Sequence, residues 1–201
     1  MVMIMIRRSV SSVLSVTVCL LLFSSLLYAE SSYVGVDGCR SCHKGQFASW
    51  RMSVHAKALD LLKPGKRKGA KKRAQLDPEK DYSTDTKCLQ CHTTGYGKPG
   101  GFKDITSTPK MAGISCEACH GAGSEYRVLH DEKPNFQKDE NKAKGALYGA
   151  EDAAVCKSCH EHEDNVFTSE MDKKYIFNWK ERLEKRKAYH IKKKRQLKFT
   201  F

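Results

Sequence analysis

Cys116-Glu117-Ala118-Cys119-His120 is the stretch of sequence around which the rest of the chain is best interpreted. It is one of four Cys-x-x-Cys-His motifs in the 201 residues, and the others span 39–43, 88–92 and 156–160. Two cysteines three residues apart with a histidine directly after them are the attachment signature of c-type haem. The thiols bond to the vinyl groups on one porphyrin edge, and the adjacent imidazole binds iron from the proximal side.

The four motifs therefore predict four covalently bound haem c groups, each with its iron on a motif histidine. The predicted thioether residues are Cys39, Cys42, Cys88, Cys91, Cys116, Cys119, Cys156 and Cys159. The predicted proximal ligands are His43, His92, His120 and His160.

Paired cysteines also occur in four-cysteine zinc sites and in the disulfide frameworks of secreted proteins. Neither alternative accounts for the histidine that follows all four pairs. A four-coordinate zinc site has no use for a fifth ligand beside each pair. Haem attachment is therefore favoured over both.

Residues 1–29 have the pattern of an export signal. Arg7 and Arg8 form a positive start, 9–27 is apolar and rich in serine, and Ala29 offers a small residue for cleavage. An uncleaved membrane anchor is the less favoured alternative, since the apolar run is nearly long enough to span a bilayer. Because c-type haem is attached outside the bacterial cytoplasm, the motifs and the signal both predict a periplasmic protein.

Residues 30–201 are predicted to form a single tetrahaem domain. This length is too short for a conventional apolar core around each cofactor, so four closely packed haems are expected to supply most of the core. No strand pattern is convincing, and the fold class is predicted as mainly α with long loops. The formal net charge of the chain is +13. In an exported haem protein this charge favours an acidic redox partner or an anionic membrane surface over nucleic acid.

Local patterns add four structural predictions. Apolar residues at three- and four-residue steps predict helices over 46–62 and 178–197. The basic run 66–73 is interpreted as a solvated loop or helix end, with a docking patch as the alternative. The glycine-rich turn 95–101 is expected to pass close to a haem face, and Gly121 to permit a close backbone approach.

Four histidines outside the motifs are candidates for the second axial ligand of iron. His55 and His190 fall on the predicted helices with an apolar face, and together with His130 they are the favoured ligands. His162 is only two residues from His160 and cannot easily fold over the opposite face of the same ring. Methionine could also ligate iron, but no methionine is singled out. The residues support at least three six-coordinate haems and leave one open.

With these residues in view, the chain resembles the tetrahaem cytochrome c-554 family over nearly all of 30–201. The resemblance includes the order of motif and non-motif histidines, which is more specific than the motifs alone. Other shared stretches are Ser49-Trp50, His55-Ala56-Lys57-Ala58, Leu62-Lys63-Pro64, Leu76-Asp77-Pro78, Gly100-Gly101, Tyr126-Arg127, Phe167-Thr168, Lys174-Tyr175 and Ala188 to His190.

The resemblance implies a set of axial ligands. The implied pairs are His55 with His120 at the third haem, His130 with His43 at the first, and His190 with His160 at the fourth. The second haem, on His92, would be five-coordinate and high-spin, with its open face covered by a loop at Phe167 and Thr168. Asn165 and Val166 depart from the family pattern, and His162 has no counterpart in it.

The resemblance also implies an electron-transfer function. The expected role is a periplasmic relay between a multihaem dehydrogenase similar to hydroxylamine oxidoreductase and a membrane quinone or cytochrome acceptor. Bis-histidine haems have no free coordination site, so they carry electrons and do little else. An open haem at His92 allows the alternative of nitric oxide reduction there. No acid or base is clearly placed beside that iron, so no further catalytic residue is predicted.

Overall fold

The computed structural model describes residues 30–128, 138–147 and 152–185. By its internal contacts the chain divides into two compact units, Met1–Glu30 and Ser31–Phe201. The predicted export signal, His130 and His190 lie outside the described residues. They remain predictions from the sequence.

Short helices joined by turns make up the described chain. The α-helices are α1 Asp37–Arg40, α2 Lys44–Arg51, α3 Lys68–Arg73, α4 Thr86–His92, α5 Cys116–His120, α6 Lys138–Ala143, α7 Ala154–His160 and α8 Trp179–Lys185. Single turns of 3₁₀-helix cover Leu59–Leu62, Pro109–Met111 and Lys173–Tyr175. Within the described ranges, β pairing is limited to an isolated bridge between Thr93 and Ala112. The prediction of a mainly helical fold is confirmed.

The motif helices begin and end at residues suited to those positions. Asp85 caps the start of α4, where its side chain accepts a hydrogen bond from the Lys87 N–H at 3.0 Å. α5 ends at Gly121, whose φ of +82° lies in the region that favours glycine. A Cβ on Gly121 would lie 2.3 Å from the Gly145 carbonyl oxygen. The predicted close approach of the backbone at Gly121 is therefore confirmed.

The helix predicted over 46–62 is wrong in its second half. α2 ends at Arg51, and a series of turns follows it. The Trp50 indole N–H donates to the Ile114 carbonyl at 2.7 Å, and the Ile114 N–H donates to the His55 carbonyl at 2.9 Å. These tertiary bonds hold the chain against a distant segment, and they outweigh the local helical periodicity.

An apolar cluster packs against the second motif. Its buried members are Leu59, Leu62, Tyr82, Leu89, Phe102 and Met111. Leu89 belongs to the second motif itself, so the cluster directly supports one haem-attachment helix. The cluster is small for a chain of this length, as expected if haems supply much of the core.

The glycine-rich turn 95–101 makes its close approach to Tyr33. A Cβ on Gly95 would lie 2.6 Å from the Tyr33 ring, and one on Gly100 would lie 2.3 Å from the Tyr33 carbonyl oxygen. The Tyr33 N–H also donates to the Pro99 carbonyl at 2.9 Å. The glycines therefore admit the chain that leads into the first motif, and the predicted approach of this turn to a haem face stays a prediction.

The basic run 66–73 contains α3 and is only partly solvated. Lys71 is 4% exposed, and its ammonium donates to the carbonyl oxygens of Leu62 and Lys63 at 3.1 and 2.7 Å. This lysine therefore stabilises the end of the preceding 3₁₀ turn. The neighbouring cations are exposed, namely Lys66, Arg67, Lys72 and Arg73.

None of the helices in 30–128, 138–147 and 152–185 is long and apolar enough to cross a membrane. The helix predicted over 178–197 is described as α8 up to Lys185. The rest of that prediction lies outside the described residues.

Candidate haem-binding sites

Each of the last three motifs lies on one short helix that ends at the motif histidine. In α5, for example, Cys116 is the first residue and His120 is the last. Residues three and four apart are neighbours on a helix surface, so the thiols and the imidazole of a motif can meet one porphyrin. The first motif is divided between two helices, with Cys39 in α1 and His43 directly before α2. All eight motif cysteines are described, and all are free thiols.

The first and third motifs meet through their leading cysteines. The Cys116 thiol donates a hydrogen bond to the Cys39 sulfur. This bond lowers the pKa of Cys39 and raises the pKa of Cys116. The two attachment sites are therefore adjacent in space, although the second motif lies between them in the sequence.

The second and fourth motifs meet in the same way. The Cys91 thiol donates to the Cys159 sulfur, which raises the pKa of Cys91 and lowers that of Cys159. The Cys119 side chain is exposed, yet the surrounding chain desolvates its thiol and raises its pKa to about 11, with further contributions from Cys156 and Cys159. Cysteine contacts thus join the first motif to the third and the second to the fourth, and Cys119 of the third motif lies within electrostatic range of the fourth.

His92 is held in the orientation that an iron ligand needs. Its Nδ1 lies 2.7 Å from the carbonyl oxygen of Ala58, so Nδ1 donates and the Nε2 lone pair is left for iron. Burial lowers the pKa of the His92 imidazole, which keeps the ring neutral, as a metal ligand must be. A carbonyl partner of this kind is typical of metal-ligating histidines.

His55 and His160 are brought together across a long stretch of sequence. Their ring centroids are 6.2 Å apart in an edge-to-face arrangement. Phe177 stacks on His160 with centroids 4.3 Å apart and planes 5° apart. Both residues are exposed, yet desolvation by the surrounding chain lowers the pKa of both imidazoles, and His55 lowers that of His160 further. Both rings are therefore neutral near pH 7 and chemically able to ligate iron.

His55 also lies against the segment that leads into the third motif. The Ile114 N–H donates to the His55 carbonyl at 2.9 Å, and a Cβ on Gly113 would lie 3.0 Å from the same oxygen. The Trp50 indole bonds the Ile114 carbonyl and completes this junction. These contacts fix the backbone of His55 close to the start of the third motif at Cys116.

The two remaining motif histidines, His43 and His120, are exposed. The His43 carbonyl accepts a hydrogen bond from the Phe47 N–H at 2.8 Å, which belongs to the start of α2. The His120 carbonyl accepts from the Leu147 N–H at 2.8 Å, which ties the third motif to the chain after α6. The structure therefore fixes the backbone at both proximal positions.

The loop expected to cover the second haem is anchored to the fourth motif. The Asn165 side chain donates to the His160 carbonyl at 2.9 Å and accepts from the Phe167 N–H at 3.0 Å. The Phe167 ring packs against Tyr175 with centroids 5.2 Å apart. Thr168 is exposed. Asn165, which departs from the family pattern, thus helps to hold the loop in place.

His162 is oriented by Asp164. Its Nδ1 accepts a hydrogen bond from the Asp164 N–H at 3.0 Å. In a neutral ring this bond puts the proton on Nε2, so neither nitrogen has a free lone pair for iron. Lys87, just before the second motif, forms a salt bridge of 3.4 Å with the Asp164 carboxylate. These contacts join the second motif to the chain after the fourth.

Two buried polar residues at the motifs were missed by the sequence interpretation. Glu117 is 1% exposed, and its carboxylate accepts backbone hydrogen bonds. Thr94 is fully buried, and its hydroxyl bonds the Gly113 carbonyl and the Ser115 N–H, both at 2.8 Å. A glutamate or threonine at these positions has no sequence pattern that separates it from a solvated one.

The geometry gives no support to the zinc and disulfide alternatives. Among the residues that the structure describes, no group of three or more His, Cys, Asp or Glu side chains converges on a metal-ion site. The motif cysteines are also free of disulfides. Cysteine pairs beside an oriented, neutral histidine instead fit covalent haem attachment.

Comparison with known proteins agrees with this chemistry. The family model described as cytochrome c554 and c-prime matches residues 38–121. Cytochrome c-554 of Nitrosomonas europaea is 36% identical over 183 residues, covering 82% of this chain and 77% of that protein. The chain belongs to the cytochrome c-554 family. The solved structure of reduced cytochrome c554 from Nitrosomonas europaea matches with a TM-score of 0.72 and 35% identity, and covers 81% of this chain and 86% of that chain.

As a member of the cytochrome c-554 family, this protein is a multihaem electron carrier. The predicted family and its haem c cofactor are confirmed, and the attachment of one haem to each motif remains a prediction. When bound, each haem supplies an iron that gains and loses one electron. The motif cysteines would hold the porphyrin edges, and the Ala58 carbonyl and desolvation would keep the His92 ring oriented and neutral.

Proposed function

We propose that this cytochrome c-554 family member is a periplasmic relay between a multihaem dehydrogenase and a membrane acceptor. The donor resembles hydroxylamine oxidoreductase, and the acceptor is a quinone-linked or cytochrome component of the membrane. The observation that carries the proposal is the placement of the motif cysteines: Cys116 of the third motif bonds Cys39 of the first, Cys91 of the second bonds Cys159 of the fourth, and Cys119 of the third lies within electrostatic range of the fourth. Because each cysteine is bonded to a porphyrin edge, neighbouring cysteines require neighbouring porphyrins. An electron that enters at one end therefore has a continuous path to the other.

Axial ligation suits this role. The proposed proximal ligands are His43, His92, His120 and His160, and the proposed distal ligands are His55, His130 and His190. The bond between Ile114 and the His55 carbonyl supports the assignment of His55 to the third haem. Assignment of His130 to the first haem and of His190 to the fourth rests on the family resemblance. Bis-histidine haems have no open position, so electron transfer is their main chemistry.

The second haem is proposed to be five-coordinate. His92 is its protein ligand, and the bond between the Asp164 N–H and Nδ1 of His162 argues against ligation by His162. Phe167 and Thr168 cover the open face. An open face would also admit a small ligand, but no contact among the described residues favours nitric oxide reduction over electron transfer.

An acidic redox partner suits the cations beside this loop. Arg73 lies 3.4 Å from the Tyr175 hydroxyl, and Tyr175 packs against Phe167. Lys72 and Lys173 are exposed next to these residues in the chain. We call Lys72, Arg73 and Lys173 the basic face. Transient redox partners dock through charge-matched surfaces of this kind.

Export by residues 1–29 would bring the chain to the compartment where this partner acts. The motifs support this placement, because c-type haem is attached outside the bacterial cytoplasm. Mass spectrometry of the purified haem protein tests it. We expect a mature chain that starts at Glu30, whereas a retained amino terminus would indicate the membrane anchor.

Electron transfer from a purified hydroxylamine-oxidising multihaem enzyme tests the relay. We expect anaerobic mixing with this enzyme and hydroxylamine, which supplies the electrons, to reduce all four haems, at a rate that falls as the salt concentration rises. Arg73→Glu, on the basic face, should slow the reaction about tenfold, while Arg51→Glu, an exposed arginine on α2, should change it little. Haems that stay oxidised would rule out the donor, and equal slowing by both reversals would rule out the basic face. The family assignment as an electron carrier would stand in either case.

Electron paramagnetic resonance of the oxidised protein tests the ligand set. We expect one high-spin haem, unchanged in His162→Ala and joined by a second high-spin haem in His55→Ala. Four low-spin haems in the unmodified protein would overturn the five-coordinate second haem. An unchanged spin count in His55→Ala would overturn the assignment of His55.

A further inference from the structure

The carboxylate of Glu117 is enclosed by backbone N–H groups. Oε1 accepts from Val34 at 3.0 Å and from Gly123 at 2.7 Å, and Oε2 accepts from Gly35 at 2.7 Å and from Val34 at 3.2 Å. The side chain is 1% exposed. All of these groups are donors, so both oxygens act as acceptors, which is the hydrogen-bonding pattern of a carboxylate. Glu117 therefore carries a negative charge inside the protein.

This charge lies beside two haem-attachment sites. Glu117 follows Cys116 in the third motif, and Cys116 hydrogen-bonds to Cys39 of the first motif. The pKa of Cys39 is lowered chiefly by that hydrogen bond, and the Glu117 carboxylate acts against the shift. The pKa of Cys116 is raised chiefly by the same bond, and Glu117 raises it further. The field of the carboxylate thus reaches the attachment points of both haems.

We propose that Glu117 is the fixed charge that lowers the reduction potentials of the haems attached at the first and third motifs. A ferric haem carries one positive charge more than a ferrous haem, so a nearby anion favours the ferric state. A charge surrounded by protein is screened less than one in water, which makes its effect larger. The charge surroundings of a haem are among the means by which a protein sets its potential.

Arg127 is the cation that acts in the opposite direction. Its side chain lies against Gly38, where a Cβ would be 3.5 Å from Cδ, and its charge lowers the pKa of Cys39 after the larger effect of the Cys116 hydrogen bond. Arg127 and Glu117 therefore act on the first haem with opposite signs. Removal of Arg127 and removal of Glu117 should therefore shift the reduction potential of the first haem in opposite directions, and each substitution is a control for the other.

The charge also gives the relay a direction. By lowering the potentials of the first and third haems, Glu117 would favour electron transfer from them to the fourth and second. This direction rests on the haem order in the proposed function, whereas the effect on potential rests on Glu117 alone. If the proposed haem order proved wrong, the effect of Glu117 on the two reduction potentials would still stand.

A redox titration of the purified four-haem protein, followed haem by haem by electron paramagnetic resonance, tests the proposal. In Glu117→Gln, the ratio of reduced to oxidised haem at a fixed solution potential should rise about tenfold for two haems and change little for the other two. Glu117→Asp keeps the charge and should stay near the unmodified protein. Glu79→Gln, which neutralises an exposed carboxylate away from the motifs, should have no effect.

Unchanged potentials in Glu117→Gln would overturn the proposal. Equal shifts in Glu117→Gln and Glu117→Asp would also overturn it, since the effect would then come from altered packing and not from charge. If Glu117→Gln does not assemble four haems, Arg127→Gln tests the effect of charge on the first haem while the Glu117 carboxylate stays in place. It should lower the reduced fraction of the first haem, and an unchanged or raised fraction would refute the proposal.

Discussion

The second motif packs on apolar side chains, whereas the third is held by backbone hydrogen bonds to a buried carboxylate. Leu89, inside the second motif, is 4% exposed within the apolar cluster. Glu117, inside the third, is 1% exposed and binds the chain at Val34, Gly35 and Gly123. Each uses the residues between its cysteines to attach the motif to the protein. A five-residue motif therefore specifies the cofactor, while its variable positions specify how the site is supported.

The two supports also differ in what they bring to a haem. Apolar packing excludes water around the second motif without placing a charge between its cysteines. The carboxylate at the third motif adds a permanent charge. Substitutions that remove one support at a time can show whether the two regions are independent.

Glu117→Ala should have the largest effect on stability. Removal of the carboxylate leaves three backbone N–H groups buried without their acceptor, at a cost of roughly 4 kcal/mol in the free energy of unfolding. Urea denaturation of the haem-loaded protein measures it. Glu125→Ala, an exposed glutamate nearby, should cost less than about 0.5 kcal/mol. Equal costs for the two variants would show that the third motif does not depend on its carboxylate.

Leu89→Ala should come next, with a loss of about 3 kcal/mol, because it leaves a cavity in the apolar cluster. The same denaturation experiment measures the loss. Ile105→Ala, at a position that is 57% exposed, serves as the matched truncation and should cost far less. If Ile105→Ala lowers the free energy of unfolding as much as Leu89→Ala does, the apolar cluster is not what supports the second motif.

Trp50→Phe keeps the aromatic packing and removes only the indole bond to Ile114. One lost hydrogen bond of this kind costs about 1 kcal/mol. Because that bond holds the backbone beside His55 in place, we also expect a changed electron paramagnetic resonance signal from the third haem. Phe47→Leu, on the same helix, should lower stability without altering that signal. An electron paramagnetic resonance signal that is unchanged in Trp50→Phe would argue against His55 as a ligand of the third haem.

Lys87→Ala should have the smallest effect, below about 1 kcal/mol, because the lysine side chain of the pair is 75% exposed. The unfolding free energy measured at low and high salt tests this. The difference between Lys87→Ala and the unmodified protein should vanish at high salt. A loss that persists there would make Lys87 a packing residue.

The sequence predicted what local chemistry and short periodicity determine. The four motifs identified the cofactor, and the absence of strand patterns identified the helical class. The limit of the predicted helix at 46–62 shows where this reasoning stops, because α2 ends through bonds to Ile114, more than fifty residues away. The buried roles of Glu117, Thr94 and Lys71 depend in the same way on distant backbone groups. A residue's type does not reveal a partner that only the fold brings near.

The residues that bind Glu117 follow directly after the expected export signal. The Ser32 N–H bonds the Ser124 hydroxyl at 2.9 Å, and the Val34 and Gly35 N–H groups bond the Glu117 carboxylate. The segment around Val34 and Gly35 is thus completed by a residue that lies some eighty positions later in the chain. Contacts so distant in sequence cost loop-closure entropy and slow folding. The backbone N–H groups of Val34 and Gly35 therefore have no carboxylate partner until the third motif has been synthesised and has folded against them.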